Sequence, residues 1–253
     1  MEDLLAGRTA LVTGAARRLG AEICLALAAR GVSLLVHCRS SREEAEDTAA
    51  RARALGAGAE VLAADFSSPA AAAALWRRAL NRAPEHRIDF LVNNAAVFPG
   101  DELADISITS LKQCLQVNSF SPLELGRGLA AQGCESAMVN LLDARLNDYD
   151  REHVSYHLSK RMLFSLTRMM SREFAPAVRV NAVSPGLILP PPDLDEKAGA
   201  AYLKRLSDTN LLKRHGSPRD VARAVLFLLE SGFITGQVLQ VDGGRSLQGC
   251  FYG

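Results

Sequence analysis

Short apolar runs bounded by turn residues alternate along the chain with longer stretches whose apolar residues recur every third or fourth position. Arg8–Thr13 (RTALVT) reads as a buried strand ending at Gly14. Leu19–Arg30 follows, with Leu19, Ile23 and Leu27 on one helical face and Gly31 as its stop. Val32–His37 returns to strand character, Arg42–Leu55 is a helix charged on one side, and Ala59–Ala63 is a third strand. Pro69–Asn81 opens with proline, as first helical turns often do, and Ile88–Val92 is a fourth strand.

The second half keeps the alternation. Ile108–Gln132 carries a long helical pattern interrupted near Ser121-Pro122. Ala137–Leu142 predicts a strand, Arg151–Phe174 a long helix and Val178–Val183 another strand. Leu187–Asp195 holds three consecutive prolines and is expected to be irregular. Pro218–Glu230 is a helix with Ser217 as its cap, and Gln237–Val241 is the last strand. Strands alternating with helices of this length imply βαβ units. The expected fold is therefore α/β: one Rossmann-type, doubly wound parallel sheet of about seven strands, helices on both faces, in a single domain over residues 1–253.

Composition narrows the function classes. Hydrophobic residues make up 48% and charged residues 23%, enough for a full core. A net charge of +1 speaks against a nucleic-acid binder, which needs a basic surplus. Cys24, Cys38, Cys114, Cys134 and Cys250 are scattered without a CxxC pair, so neither a disulfide framework nor a metal site is expected. Met1–Gly7 does not read as a signal peptide, and no stretch reaches the roughly 18 apolar residues of a membrane span. The expected location is the cytoplasm, with no membrane partner.

The turn Thr13–Gly20 joins the first strand to the first helix. Gly14 permits the sharp exit, Gly20 permits close helix–sheet packing, and the helix N-terminus suits a pyrophosphate. Gly14, Arg17, Arg18, Leu19 and Gly20 are thus candidate cofactor contacts. The second strand ends in His37-Cys38-Arg39-Ser40, with no acid until Glu43. An acid there would bind a ribose 2′-hydroxyl, whereas His37, Arg39 and Ser40 suit a 2′-phosphate, so NADPH is the expected cofactor. Asp65 reads either as a partner for the adenine amino group or as an acid ahead of the Pro69 helix. Asn94 and Ala95 lie where small residues let backbone approach the ribose.

Tyr156 and Lys160 stand one helical turn apart, on one face. An ammonium near a phenol is expected to lower its pKa from about 10 and make it a useful acid–base. With Thr13–Gly20, Asp65, Asn93–Ala96, Asn118, Ser184-Pro185-Gly186 and Val241-Asp242-Gly243-Gly244, this pair resembles the short-chain dehydrogenase/reductase family over essentially the whole chain. The resemblance implies an acid–base role for Tyr156, a ribose-holding role for Lys160 and a water-anchoring role for Asn118. It also implies cofactor contacts at Phe66, Gly186 and Ile188, and a homotetramer in which the long fifth and sixth helices pack across subunits. The stretch Asp242–Gly253 would then reach a subunit interface, with Arg245 near a neighbour's pocket.

Two departures narrow the subgroup. Arg18 replaces the usual middle glycine, and Asp143 stands thirteen residues before the tyrosine, where a serine is usual. With His37–Ser40 and Phe98, they are similar to the pteridine and dihydromonapterin reductases. Arg18, Phe98, Asp143 and Tyr156 become candidate substrate contacts, with Phe98 stacking a flat heterocycle against the nicotinamide. Their plain readings are a salt bridge, loop packing and a loop acid for Arg18, Phe98 and Asp143 in turn. His153, His157 and His215 are read as non-catalytic, and Trp76, Met162, Met169 and Met170 as packing. The expected reaction reduces a dihydropterin to the tetrahydro form. The rivals are a carbonyl reductase, such as a 3-oxoacyl-carrier-protein reductase, and a non-catalytic NADPH-binding regulator. Specificity is expected to lie in residues 187–206.

Overall fold

The computed structural model describes residues 4–191, 194–208 and 210–247. Its strands are β1 (Thr9–Val12), β2 (Ser33–Cys38), β3 (Ala59–Ala63), β4 (Phe90–Asn93), β5 (Ser136–Leu141), β6 (Val178–Pro185) and β7 (Val238–Val241). They form one parallel sheet in the order β3-β2-β1-β4-β5-β6-β7. The chain starts in the middle, winds outward to β3, then returns beside β1. Val12 therefore pairs with both Val36 and Val92, and the carboxyl ends of β1 and β4 flank the point where the order reverses. In open α/β sheets that crevice is where ligands bind.

Helices cover both faces, so the strands are apolar throughout rather than alternating. One core layer packs Val12, Val36, Val92 and Val139 under α1 (Arg18–Ala28), α2 (Arg42–Ala54) and α8 (Pro218–Glu230). The opposite faces of the same strands, Leu11, Leu35, Leu91 and Met138, pack under α3 (Ala71–Arg82), α5 (Ser121–Ala131) and α6 (Val154–Glu173). No helix among the described residues is long and apolar enough to cross a membrane.

Most element boundaries shift by one or two residues from the sequence reading, and four departures have a clear local reason. α3 begins at Ala71 because Pro69 belongs to a turn in which the Ser67 amide donates to the Asp65 carboxylate at 2.9 Å. α6 begins at Val154, since the His153 backbone is not helical and the Asp101 carboxylate accepts from the Ser155 amide. The break at Ser121-Pro122 is a π turn, Gln116–Phe120, closed by the Ser121 hydroxyl on the Gln116 carbonyl and joining α4 (Ile108–Leu115) to α5. Residues 187–206 begin without regular structure but continue as α7 (Glu196–Ser207), capped by Asp195. Ser217 caps α8 in a full capping box with Asp220.

His37, at the end of β2, is a structural pin. Its Nδ1 accepts from the Gly14 amide at 3.2 Å, its Nε2 meets the Ala64 carbonyl at 3.0 Å, and its ring stacks on Phe66 at 4.4 Å. These contacts require the neutral Nε2–H tautomer. Burial lowers its pKa to about 4. The unfolded chain takes up the proton near pH 6.5, so the stability His37 contributes is complete above that pH and is lost as pH falls toward about 4. Acidification from pH 7 to 5 is expected to lower the melting temperature, at up to about 1.4 kcal/mol per pH unit within that window. The slope is expected to be shallower in His37→Asn, measured by thermal denaturation across pH.

Candidate active site

The crevice between β1 and β4 is built from backbone. The Thr13 hydroxyl accepts from the Asn94 and Ala95 amides, both at 3.0 Å, and the Asn94 side-chain amide donates back to the Thr13 and Gly14 carbonyls. Gly14 has φ +62°, and a Cβ there would stand 2.8 Å from the Ala95 Cα. A Cβ on Gly20 would stand 2.3 Å from the Gly14 carbonyl oxygen. Above this floor lies a cleft of about 640 Å³.

Arg18 has φ +56°, the left-handed conformation that explains the glycine usual at this place. Its guanidinium reaches over the cleft mouth and donates to the Pro190 carbonyl. Arg17 precedes the helix without a side-chain cap, leaving the first-turn amides of α1 free for an anion. Leu19, Arg39, Asp65 and Ala95 also line the cleft.

The other candidate cofactor residues divide by exposure. Arg39 and Ser40 are exposed at the β2 end, where a 2′-phosphate can be reached. His37 lines the cleft as well, but it is buried and neutral, so it gives that corner shape and no positive charge. Asp65 is exposed, its carboxylate engaged by the Ser67 amide, and Phe66 lies buried beneath His37. The Asn94 side chain is spent on the turn itself. Gly186 donates to the Val241 carbonyl at 3.0 Å and has no room for a Cβ beside Asp242, while the Ile188 side chain joins the core. Gly14 and Gly20 line the cleft where the turn packs too closely on itself for a Cβ, with a helix N-terminus and guanidinium groups at the rim. That donor set fits a dinucleotide phosphate.

The catalytic candidates converge on α6. The Tyr156 hydroxyl donates to Asp143 Oδ2 at 3.1 Å, and Asp143 follows β5 with its other oxygen on the Arg145 amide at 2.8 Å. The Ser184 hydroxyl donates to the Asp143 carbonyl at 2.6 Å, tying the loop after β5 to β6. The Lys160 ammonium donates to the Leu141 carbonyl at 2.6 Å and lies 5.6 Å from the Tyr156 ring centre. The phenol pKa is not lowered as expected: burial first, then the Asp143 carboxylate, push it well above its ordinary value. Burial lowers Lys160 to about 8, against the opposing pull of Asp143. Tyr156 is thus a retained proton donor, its proton held by a carboxylate.

Asn118 sits in the π turn with its side chain fully buried. It accepts from the Val97 amide at 2.8 Å and donates to the Val97 carbonyl and the Ser159 hydroxyl. Its visible work is to fix the segment carrying Phe98. Phe98 lines the cleft and meets the Tyr156 ring edge-on at 4.5 Å, but its other contact is a stack on His153 at 3.8 Å. Sequence reasoning missed His153 and the acids that organise this corner, Asp101 and Asp150. The available signal was spacing, since His153 lies three residues before Tyr156.

A family model described as Enoyl-(Acyl carrier protein) reductase matches residues 14–246. The chain is 34% identical to the granaticin polyketide synthase putative ketoacyl reductase 2 of Streptomyces violaceoruber, over 94% of this chain and 96% of that protein. It is 28% identical to the dihydromonapterin reductase of Shigella flexneri serotype 5b, again over 94% and 96%. It is also similar to the crystal structure of FolM alternative dihydrofolate reductase 1 from Brucella canis, complexed with NADP. That likeness has a TM-score of 0.88 and 30% identity over 98% of this chain and 97% of the other.

Gly20→Ala tests the cradle. The added methyl must displace the Gly14 carbonyl, so binding of NADPH is expected to weaken about tenfold or more and the fold to lose about 1–3 kcal/mol. Fluorescence titration with NADPH and urea denaturation measure the two effects.

Proposed function

The chain belongs to the short-chain dehydrogenase/reductase family, and we propose that within it the protein is an NADPH-dependent pteridine reductase. The observation that carries this reading is the Asp143 carboxylate on the Tyr156 hydroxyl, where a carbonyl-polarising serine is usual. A carboxylate that keeps the phenol neutral suits protonation of a ring nitrogen. The dihydromonapterin reductase and FolM likenesses support the same substrate class.

Bound NADPH supplies a hydride to the electrophilic carbon of a pterin C=N bond. The glycine turn and first-turn amides of α1 would hold its pyrophosphate, Arg39 and Ser40 its 2′-phosphate, and Lys160 its nicotinamide ribose. Tyr156, oriented by Asp143, gives its proton to the adjacent ring nitrogen, so the C=N bond becomes CH–NH. The Lys160 ammonium meets the phenolate left behind until solvent returns a proton. Phe98 presents a flat face to the heterocycle and Arg18 a cation to its polar edge. Positioning two planar rings in contact provides much of the rate gain.

A carbonyl reductase is the second reading, favoured by the 34% identity to a putative ketoacyl reductase. NADPH oxidation with dihydromonapterin, dihydrobiopterin, dihydrofolate and biopterin, set against acetoacetyl thioesters, separates them. Dihydropterins are expected to be the better substrates; faster thioester turnover overturns the pterin reading. Tyr156→Phe is expected to lower kcat by about 10²–10⁴ with NADPH affinity nearly unchanged. Asp143→Ser is expected to slow dihydropterin reduction at least about tenfold, and an unchanged rate removes the main residue of the argument.

Family membership also supports a homotetramer. Leu158 and Met169 on α6, with Phe120 at the start of α5, are apolar yet exposed. Sedimentation is expected to give a tetrameric mass, and charged substitutions at Leu158 and Met169 to lower it.

A further inference from the structure

Phe98 lies in an irregular stretch between β4 and α4 and is 54% exposed. A ring so placed has little to fix its rotamer, yet the proposed reaction needs it as a wall. The structure supplies a second ring. His153 covers one face of Phe98, centres 3.8 Å apart and planes 18° from parallel. Phe98 lines the cleft, His153 is not among the residues that line it, and the Tyr156 ring meets Phe98 edge-on at 4.5 Å.

His153 is itself held. Its Nδ1 lies 2.7 Å from Asp150 Oδ1, and the second Asp150 oxygen lies 2.9 Å from Nε2 of His157, a buried neighbour of Tyr156. The backbone locks the two segments together: the Asp101 amide donates to the Glu152 carbonyl, and the Val154 amide to the Asp101 carbonyl. Asp101 also receives the Ser155 amide and the Ser110 hydroxyl, joining the Phe98 segment to both α6 and α4. His153 therefore moves with the helix that carries Tyr156.

We infer that His153, oriented by Asp150, is a positioning residue that clamps Phe98 from behind and so sets how well the site binds a flat substrate. The inference rests on the pterin reading for its substrate and on the stacked pair for its geometry. Aromatic stacking of this kind is worth several-fold in affinity, about tenfold at its upper end.

The test compares His153→Ala, His153→Leu and His153→Tyr with the parent enzyme, using dihydromonapterin and the fused-ring ketone 1-tetralone. His153→Ala is expected to raise KM for the flat substrate about tenfold while kcat and NADPH affinity stay within about twofold. Tyrosine, a flat ring, is expected to restore most of the loss, and leucine, of similar bulk, little of it. An unchanged KM in His153→Ala, or equal rescue by leucine, overturns the clamp. Which substrate the parent enzyme prefers tests the pterin reading; the ratio of variant to parent on the preferred substrate tests His153. A crystal structure of His153→Ala reads the clamp without any substrate: a displaced or disordered Phe98 ring supports it, and an unmoved ring overturns it.

Discussion

The Thr13 hydroxyl donates to the Val92 carbonyl at 3.4 Å and accepts from the amides of Asn94 and Ala95, so its one proton and both lone pairs are used. It does this where β1 and β4 part company and the sheet order reverses. Without it, two amides at the floor of the crevice would lack a partner, at about 1–3 kcal/mol each. Everything chemical hangs from that junction. The glycine turn leaves on one side of it, the Phe98 segment on the other, and the Asn94 amide side chain bridges the two. The cleft floor is consequently main chain, which neither rotates nor titrates.

The parts of this protein written in short-range pattern were legible from sequence. Strand-to-helix alternation, the glycine turn, the one-turn Tyr156–Lys160 spacing and the Ser217 cap each depend on residues within a few positions of one another. What stayed hidden depends on distance in the chain. His37 was expected at the cofactor from its place at the end of the second strand, and it does line the cleft, but burial holds it neutral and its ring nitrogens are engaged by the Gly14 amide and the Ala64 carbonyl. The Tyr156 phenol was expected to titrate low because a lysine lies one turn away. Folding puts a carboxylate on the hydroxyl itself and buries the phenol and the ammonium. α7 was obscured by the prolines before it. The pairing of His153 with Phe98 joins residues 55 positions apart, which no local spacing announces.

The site separates two tasks that a single basic group would confuse. The cations Arg17, Arg18 and Arg39 line the cleft at the glycine turn and the β2 end. Around the proton donor the dominant charge is negative, and the nearest ammonium is turned toward a backbone carbonyl. A phenol in such surroundings gives up its proton only when a more basic atom is presented to it. An imine-type nitrogen is such an atom, more so than a ketone oxygen. The Phe98 segment is tied through Asp101 to the start of the helix that carries Tyr156, so the two rings are held against one another.

Arg18 carries a cost that its neighbours do not. A left-handed backbone is disfavoured by about 1–2 kcal/mol for a residue with a Cβ, and the chain bears this at the cleft mouth to present a guanidinium to Pro190. Glycine would relax the backbone and give up the hydrogen bond to Pro190. Thermal robustness and the Arg18–Pro190 contact thus pull in opposite directions at this one position, and selection for heat resistance alone would trade the contact for a relaxed backbone.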